Sequence, residues 1–429
     1  MARGRNRKAE QTEAVIVGGG MVGLSLGIAL AHAGIRVAVL DREDPDTARG
    51  APFDGRSSAI AFGTQRMLGA IGLWEHIAQA AQPILDIRVS DGQVGRPASP
   101  FFLHYDHSEV GQEPLGWIVE NRQIRTALYA RAAELETLQL LAPVQVGETR
   151  RLPGHIEAEW RADTGESGRV RASLLVAADG RGSRLRAEAG IRTTAWSYPQ
   201  SGIVTTVAHE KPHEAVAHEH FLPSGPFAML PMVDGPLDES GGVYHRSSIV
   251  WTERRELADA MMALDDDAFG AEIMRRFGDS LGTITASPRR WCYPLGLINA
   301  ERYTDHRLAL VGDAAHGIHP IAGQGLNLGL RGVAALAEAV VDARRLGLDI
   351  GAAQTLARYQ SWRRLDAMTL IAVTDGLNRL FSNNLPPLRA ARDLGLAAVD
   401  RVGPLKRFFM RHAMGVVGDL PRLIRGEPL

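Results

Sequence analysis

The feature that most constrains this chain is a glycine turn near its start. Val15–Val17 reads as a short buried strand, Gly18-Gly19-Gly20-Met21-Val22-Gly23 follows, and Met21 to Ala33 reads as a helix with small residues on its packing face. Val37 to Leu40 reads as a second buried strand ending at Asp41, eighteen residues beyond Gly23. Alone, G-x-G-x-x-G is a weak pattern. Placed between a strand and a helix, with an acid at the end of the next strand, it predicts a dinucleotide-binding β-α-β unit and a parallel sheet. Gly18 permits the tight turn, Gly20 lets a pyrophosphate approach bare backbone, and Gly23 lets helix and strand pack closely. The helix N-terminus offers unpaired N–H groups to the phosphates, and Asp41 accepts from ribose hydroxyls.

The same segment imitates a secretory signal. MARGRNRK is basic, Ala14–Ala31 is uncharged, and Ala31-His32-Ala33 resembles a cleavage site. Glu10 and Glu13 interrupt the basic stretch, five glycines interrupt the apolar one, and a strand follows at once, so a cytosolic strand–turn–helix–strand is the expectation. Residues 1–12 are expected to be a mobile tail.

Composition then excludes whole classes. A formal net charge of -1 rules out a global basic field for nucleic acid. The single cysteine, Cys292, excludes an intrachain disulfide, a cysteine zinc site and a cysteine-ligated iron–sulfur cluster. Redox chemistry must come from a bound organic cofactor or from other ligands. The 429 residues are enough for two or three domains.

Two later strand ends carry acids. Leu308–Val311 runs into Gly312-Asp313, and Pro320-Ile321-Ala322-Gly323-Gln324-Gly325-Leu326-Asn327 follows before a helix. A nicotinamide fold does not need this element, whereas a flavin does. Asp313 suits the ribityl hydroxyls, Gly323 and Gly325 bring bare backbone beside the ring, and the helix N-terminus favours the negative charge of reduced flavin. Asp179-Gly180 closes the strand-like run Leu174–Ala178. It reads either as a cofactor loop with Arg186 as a positive charge, or as a structural turn salt-bridged by Arg186.

From about Gly202 to Thr252 the pattern shifts to alternation and β-branched residues, as in an antiparallel sheet. The expected fold is α/β (α+β overall). A discontinuous Rossmann-like cofactor domain takes 13–84, 116–190 and 292–345, an inserted antiparallel-sheet substrate domain takes 85–115 and 191–291, and a helical segment takes 346–429.

In this order and spacing the motifs resemble the single-component FAD-dependent aromatic hydroxylases related to para-hydroxybenzoate hydroxylase. Finer detail resembles the ubiquinone-biosynthesis hydroxylase family. The resemblance rests on GDAAHGIHPIAGQGLNLGLRG (Gly312–Gly332), DGRSSAIAFGTQRMLGAIGLW (Asp54–Trp74), GPFAMLPM (Gly225–Met232) and TDGLNRLFSNN (Thr374–Asn384). It implies that FAD is held by Gly18, Gly20, Gly23, Asp41, Arg42, Arg56, Arg122, Asp179, Asp313, Pro320, Gly323, Gly325, Leu326 and Asn327. Where the family commonly has Arg-Asp-Val, this chain has Arg331-Gly332-Val333.

The implied reaction is hydroxylation of a polyprenylated phenol or benzoquinol ring in ubiquinone biosynthesis. A reduced NAD(P)H or another reductant feeds the flavin, and a flavin C4a-hydroperoxide carries the oxygen of O2. No catalytic side chain or general base is assigned, because the flavin is the reacting centre. Candidate walls of the substrate pocket are Phe227, Met229, Leu230, Pro231, Trp251 and Tyr293, with core packing as the alternative for each. The histidines 209, 213, 218, 220, 316 and 319 are expected to be solvated strand or loop residues rather than metal ligands, and no metal is expected. Lys406–His412 mixes bases with large apolar groups, which suits either an anionic membrane surface or an ordinary packed helix. The expected location is cytoplasmic and peripheral on the inner membrane face, with contact to a ubiquinone-biosynthesis complex. Two rivals stand beside this reading: a hydroxylase of a small soluble phenol, and a non-catalytic flavoprotein scaffold.

Overall fold

A computed structural model describes residues 10–50, 55–96, 102–237, 241–383 and 386–429. The cofactor-type unit is built on a six-stranded sheet. Its order is Thr304–Asp305, Leu308–Leu310, Leu174–Ala177, Ala14–Val17, Val37–Leu40, Leu138–Leu141. All its pairings are parallel except the two-residue edge at Thr304–Asp305. The central strands are apolar at every position, as strands covered on both faces must be. Helix Met21–His32 lies close on this sheet because Gly27 is small: a Cβ there would meet Val39 Cγ2 at 2.9 Å.

The tail expected over 1–12 needs correction at its end. Glu10–Gln11 pairs in parallel with Val170–Arg171, at the edge of a four-stranded sheet. Residues 1–9, Asp54 and Asn384 lie outside the described residues.

The second unit is an eight-stranded sheet that includes Thr193–His209, Val216–Leu222, Gly225–Gly235, Tyr244–Arg254 and Ile284–Ala300. Its last long strand continues to Ala300, past the boundary expected at 292, because Thr193–Ser197 pairs with Gly296–Ala300. One face is covered by helices Arg255–Met262 and Asp266–Phe277. There Ile203, Phe227, Met229, Ile249 and Trp251 pack with Phe269, Ile273 and Phe277. The opposite face looks toward the first unit. Ala217, Leu230 and Met232 join Ile84, Ile118 and Ala59 there.

Helix Ala353–Phe381 spans both units. At one end Tyr359 Oη donates to the Leu310 carbonyl at 2.7 Å. At the other, Tyr198 Oη donates to Asp375 at 2.7 Å and Asn378 Nδ2 donates to Gln200 at 3.0 Å. The departure at Gly332 is accommodated locally. Arg331 finds a carboxylate in Asp366 of this helix at 3.3 Å, and Gly332 sits beside the Tyr359 hydroxyl.

Candidate functional site

Three corners of the chain meet at the C-terminal ends of the parallel strands, where open α/β sheets bind ligands. Gly18 has φ +105°, and a Cβ on it would lie 2.3 Å from the Ala178 carbonyl oxygen. A Cβ on Gly23 would lie 1.8 Å from the Gly18 carbonyl oxygen. Gly18 and Gly23 therefore serve close approach of backbone to backbone. Gly20 differs: a Cβ there meets nothing within 4 Å. The Asp313 loop closes on the same corner, because a Cβ on Gly312 (φ +56°) would meet Val22 at 3.0 Å.

The side chains divide into scaffold and open groups. Asp41 accepts from the Gly19 amide and, at 2.8 Å, from the Glu43 amide, so its carboxylate shapes the turn. Asp179 Oδ2 accepts from Arg184 N at 2.9 Å, while its Oδ1 is buried with no partner among the described residues. Arg186 does not serve as a surface charge. Buried, it donates to the Ala314 carbonyl at 2.9 Å and the Arg181 carbonyl at 2.7 Å, joining two of the corners. Arg56 and Arg122 come together where strands Ser57–Ala61 and Gly116–Glu120 pair, since Asn121 N donates to the Arg56 carbonyl. Arg122 pairs with Glu120 at 2.5 Å, and Arg246 holds the other oxygen of Glu120 at 3.2 Å. Arg42 is exposed at the end of its strand.

Asp313 is the informative acid. Surrounding protein pushes its carboxyl above the ordinary range, with Arg181 at 3.6 Å pulling the other way. Yet 53% of its side-chain surface is open. An acid both walled by protein and open on one side lines a concave space.

Asn327 corrects the expectation that its side chain faces a cofactor. It is buried, accepts from Ala61 N at 2.9 Å and donates to the Ala59 carbonyl at 2.8 Å, so both ends of the amide clamp strand Ser57–Ala61 to the helix. Leu326 packs against the main core. Gly323 takes φ +61° at the start of helix Gln324–Arg345, and Gly325 faces open space after Pro320 and the short turn Ile321–Gly323.

These observations fit an anionic dinucleotide with a polyol chain. Helices Met21–His32 and Gln324–Arg345 both start without a side-chain cap and without an acid in the first turn. Their leading N–H groups therefore need partners and carry positive dipole ends. Gly20, Gly180 and Gly325 leave bare backbone beside open space. Asp313 and the unpartnered Asp179 oxygen supply acceptors.

Alternation along the sheet corrects the pocket list. Phe227, Met229 and Trp251 belong to the helix-covered core and are fully buried, and Pro231 follows the same parity. Leu230 points to the opposite face, in the cluster that includes Ala59. Tyr293 is 38% exposed. The sequence reading missed Trp291, whose ring fills the space where a Cβ on Gly55 would stand, at 1.9 Å.

The histidines also differ from expectation. His209, His220, His316 and His319 are buried rather than solvated. His209 spends its ring nitrogens on the Lys211 carbonyl at 2.7 Å and the Ser247 hydroxyl at 3.0 Å. His218 and His220 pack on Phe277, His316 on Tyr303 and His319 on Tyr198. Burial lowers His218 and His316 to about 3 and His220 and His319 to about 4. In the unfolded chain they titrate near the ordinary histidine value of 6.5. The stability of their neutral forms is therefore full above that value and is lost as pH falls toward 4, by up to ~1.4 kcal/mol per pH unit per histidine. Thermal melts should show Tm falling steeply over this window. Substituting His220 by Phe should flatten the slope, and an unchanged slope would remove that residue from the account.

Comparison with known proteins follows the same line. The family model described as FAD binding domain matches residues 11–373. The chain is 50% identical over 420 residues to ubiquinone hydroxylase UbiL of Rhodospirillum rubrum, covering 97% of this chain and 93% of that one. It is 34% identical over 422 residues to 3-demethoxyubiquinol 3-hydroxylase of Escherichia coli, covering 95% and 99%. Among solved structures, it is similar to p-nitrophenol 4-monooxygenase from Pseudomonas putida, with TM-score 0.77 and 20% identity over 94% of this chain and 98% of that one. Anhydrotetracycline hydroxylase from Streptomyces rimosus has TM-score 0.70 and 21% identity, covering 96% and 77%.

Proposed function

We propose a ring hydroxylation for this chain, which belongs to the FAD binding domain family and is an FAD-dependent monooxygenase: it adds a hydroxyl group to the aromatic ring of a polyprenylated phenol or benzoquinol in ubiquinone biosynthesis. The observation that carries this reading is the 50% identity to a ubiquinone hydroxylase over nearly the whole chain. Bound FAD supplies the redox chemistry, taking electrons from reduced NAD(P)H or another reductant and delivering them to O2. The residues we assign to hold it are the turn Gly18–Gly23 for the pyrophosphate and Asp41 for the ribose. Arg42, Arg56 and Arg122 flank it, Asp179 supports its loop, and Asp313 takes the ribityl chain. Pro320, Gly323 and Gly325, with the N-terminus of helix Gln324–Arg345, lie along the ring. Leu326 and Asn327 support that segment from behind. Leu230 and Tyr293 are kept as substrate-facing, and Trp291 joins them. The unit's task is to orient the ring and keep bulk water away.

Turnover of 2-geranylphenol with NADH under labelled O2 tests the reading. The expected product gains one labelled oxygen, as seen by mass spectrometry. Turnover of short soluble phenols alone would favour the first rival. Neither product nor substrate-stimulated oxygen consumption with any of these phenols would favour a scaffold.

A membrane contact completes the proposal. Among the described residues no helix is long and apolar enough to cross a membrane. Helix Gly403–Ala413 buries Lys406, paired with Glu109 at 2.6 Å and Asp400 at 3.2 Å, together with Met410. Outward it presents Leu405, Phe408 and Phe409, beside exposed Arg407 and Arg411. A long prenyl chain favours catalysis at a lipid surface, and this mixture of rings and guanidinium groups suits an anionic one. Replacing Phe408 and Phe409 by Ser should weaken sedimentation with anionic vesicles about tenfold or more while the fold persists. Unchanged sedimentation would remove this helix from the membrane contact.

A further inference from the structure

The substrate-facing side of the eight-stranded sheet carries an acid, Glu219, that has no hydrogen-bond or ion-pair partner among the described residues. Cross-strand pairing sets Val89, Glu219, Ala228, Val250, Val204 and Trp291 in one row. Directly paired residues point to the same face, so the row can be assigned to a side. His218 and His220, flanking Glu219, pack on Phe277 of the helix-covered face. Glu219 therefore points the other way, with Ala217 and Phe221 two residues to either side.

That other side is roofed by the assigned cofactor segments. Ala217 sits in a cluster with Leu230 and Ala59, and a Cβ on Gly323 would meet Ala59 at 2.9 Å. At the far end of the row Trp291 lies against Gly55. Phe221 stacks on Phe381 at 4.1 Å, and His319 meets Tyr198 at 5.1 Å. Glu219 thus opens into the space between the sheet and the loop that bears Pro320 to Gly325.

The chemistry of this position is unusual. The neighbours of Glu219 in its row are apolar, and among the described residues no donor or cation pairs with it. Burial alone pushes its carboxyl up to about 7. The other charged groups on this side are paired, Arg246 with Glu120 at 3.2 Å among them, whereas the two ring nitrogens of His319 have no hydrogen-bond partner among the described residues. Asp91 pairs with Arg392 at 2.8 Å, and Asp375 accepts from Tyr198. His319 is buried edge-on to Tyr198, and its neutral form is favoured. Glu219 is half-buried, with its carboxylate reaching the open space, and a carboxylate in apolar surroundings without a partner costs stability; such groups gather where a ligand completes them.

We propose that Glu219 accepts the hydrogen bond of the substrate's ring hydroxyl, which orients the ring beneath the cofactor loop and selects free phenols over O-alkylated ones. The inference rests on the prenylphenol reading above and names the polar contact that reading lacks. An apolar trough suits the prenyl tail and ring faces, and a single acceptor within it fixes which ring edge is presented. A site built around such an acceptor rejects an analogue that cannot donate, because the buried acceptor is then left unpaired.

The test measures binding to the FAD-loaded protein with two probes, 2-geranylphenol and its O-methyl ether. Both are titrated by calorimetry and by the change in flavin absorption. In the wild type the phenol should bind at least about tenfold more tightly than the ether. That preference should shrink from about pH 8 to about pH 6, as Glu219 takes up a proton. Glu219→Gln should retain flavin and ether binding while its preference becomes small and independent of pH. Glu219→Leu should bring the two affinities together. A preference that keeps its wild-type size and pH dependence in Glu219→Gln overturns the assignment, even if Glu219→Leu does not fold. If the wild type binds the phenol but shows no preference over the ether, this inference alone fails. If it binds neither probe, the prenylphenol reading fails and takes this contact with it.

Discussion

Gly20→Val should yield a protein that is folded but colourless, while Gly23→Val should yield little folded protein at all. The two glycines stand three residues apart in one turn, yet they face different things. Gly20 has φ -67° and ψ -177°, extended backbone open to any residue, and a side chain on it would enter open space. The apo protein should therefore melt within about a degree or two of wild type, because a surface change without new contacts costs at most ~0.5 kcal/mol. Flavin occupancy should fall at least about tenfold, since the pyrophosphate loses its approach to backbone. Gly23 is braced against the Gly18 carbonyl, and neither atom belongs to a flexible side chain. Forcing them apart should cost roughly 3 kcal/mol or more. Absorbance at the flavin band together with a thermal melt separates the two cases. A yellow Gly20→Val protein would detach the turn from the cofactor.

Asp313→Ala should lose about a hundredfold in FAD affinity with no loss of fold. The estimate supposes two charge-assisted hydrogen bonds from a polyol, each stronger than a neutral one. Stability should hold, because this acid is held above its ordinary range by the protein around it, and among the described residues its one counter-charge is Arg181 at 3.6 Å. Asp313→Asn should fall between the two, as it keeps an acceptor without the charge. Stoichiometric flavin in purified Asp313→Ala would take the residue out of the site.

Much of this arrangement was legible in the chain because it is local. A strand, a glycine corner, a helix and an acid at the next strand end form a contiguous grammar, so Gly18, Gly20, Gly23, Asp41 and Asp313 could be placed without any long-range information. What escaped depends on partners far along the chain. The alternation of Phe227, Met229 and Leu230 declares two faces, but which face meets helices and which meets the cofactor unit is decided by residues 255–277 and 57–61. Asn327 looked like a loop residue beside a ring. Its amide is consumed by a strand more than 260 positions earlier. Arg186 suggested a partner for Asp179, and it instead joins two loops through carbonyl oxygens. The histidines read as solvated because strand residues alternate in exposure, and a helix pair lies over the side on which His218 and His220 project.

The order of the six-stranded sheet has a consequence for biosynthesis. Strand Leu174–Ala177 sits between Ala14–Val17, made early, and Leu308–Leu310, made late. A ribosome moving at about 5–20 residues per second needs roughly 15–60 seconds between those two neighbours. Throughout that wait the nascent chain exposes an apolar edge and owns only half of a nucleotide cradle, because the Asp313 corner has not yet emerged. Chaperone cover during that interval, rather than early capture of the vitamin-derived cofactor, is what this topology asks of the cell.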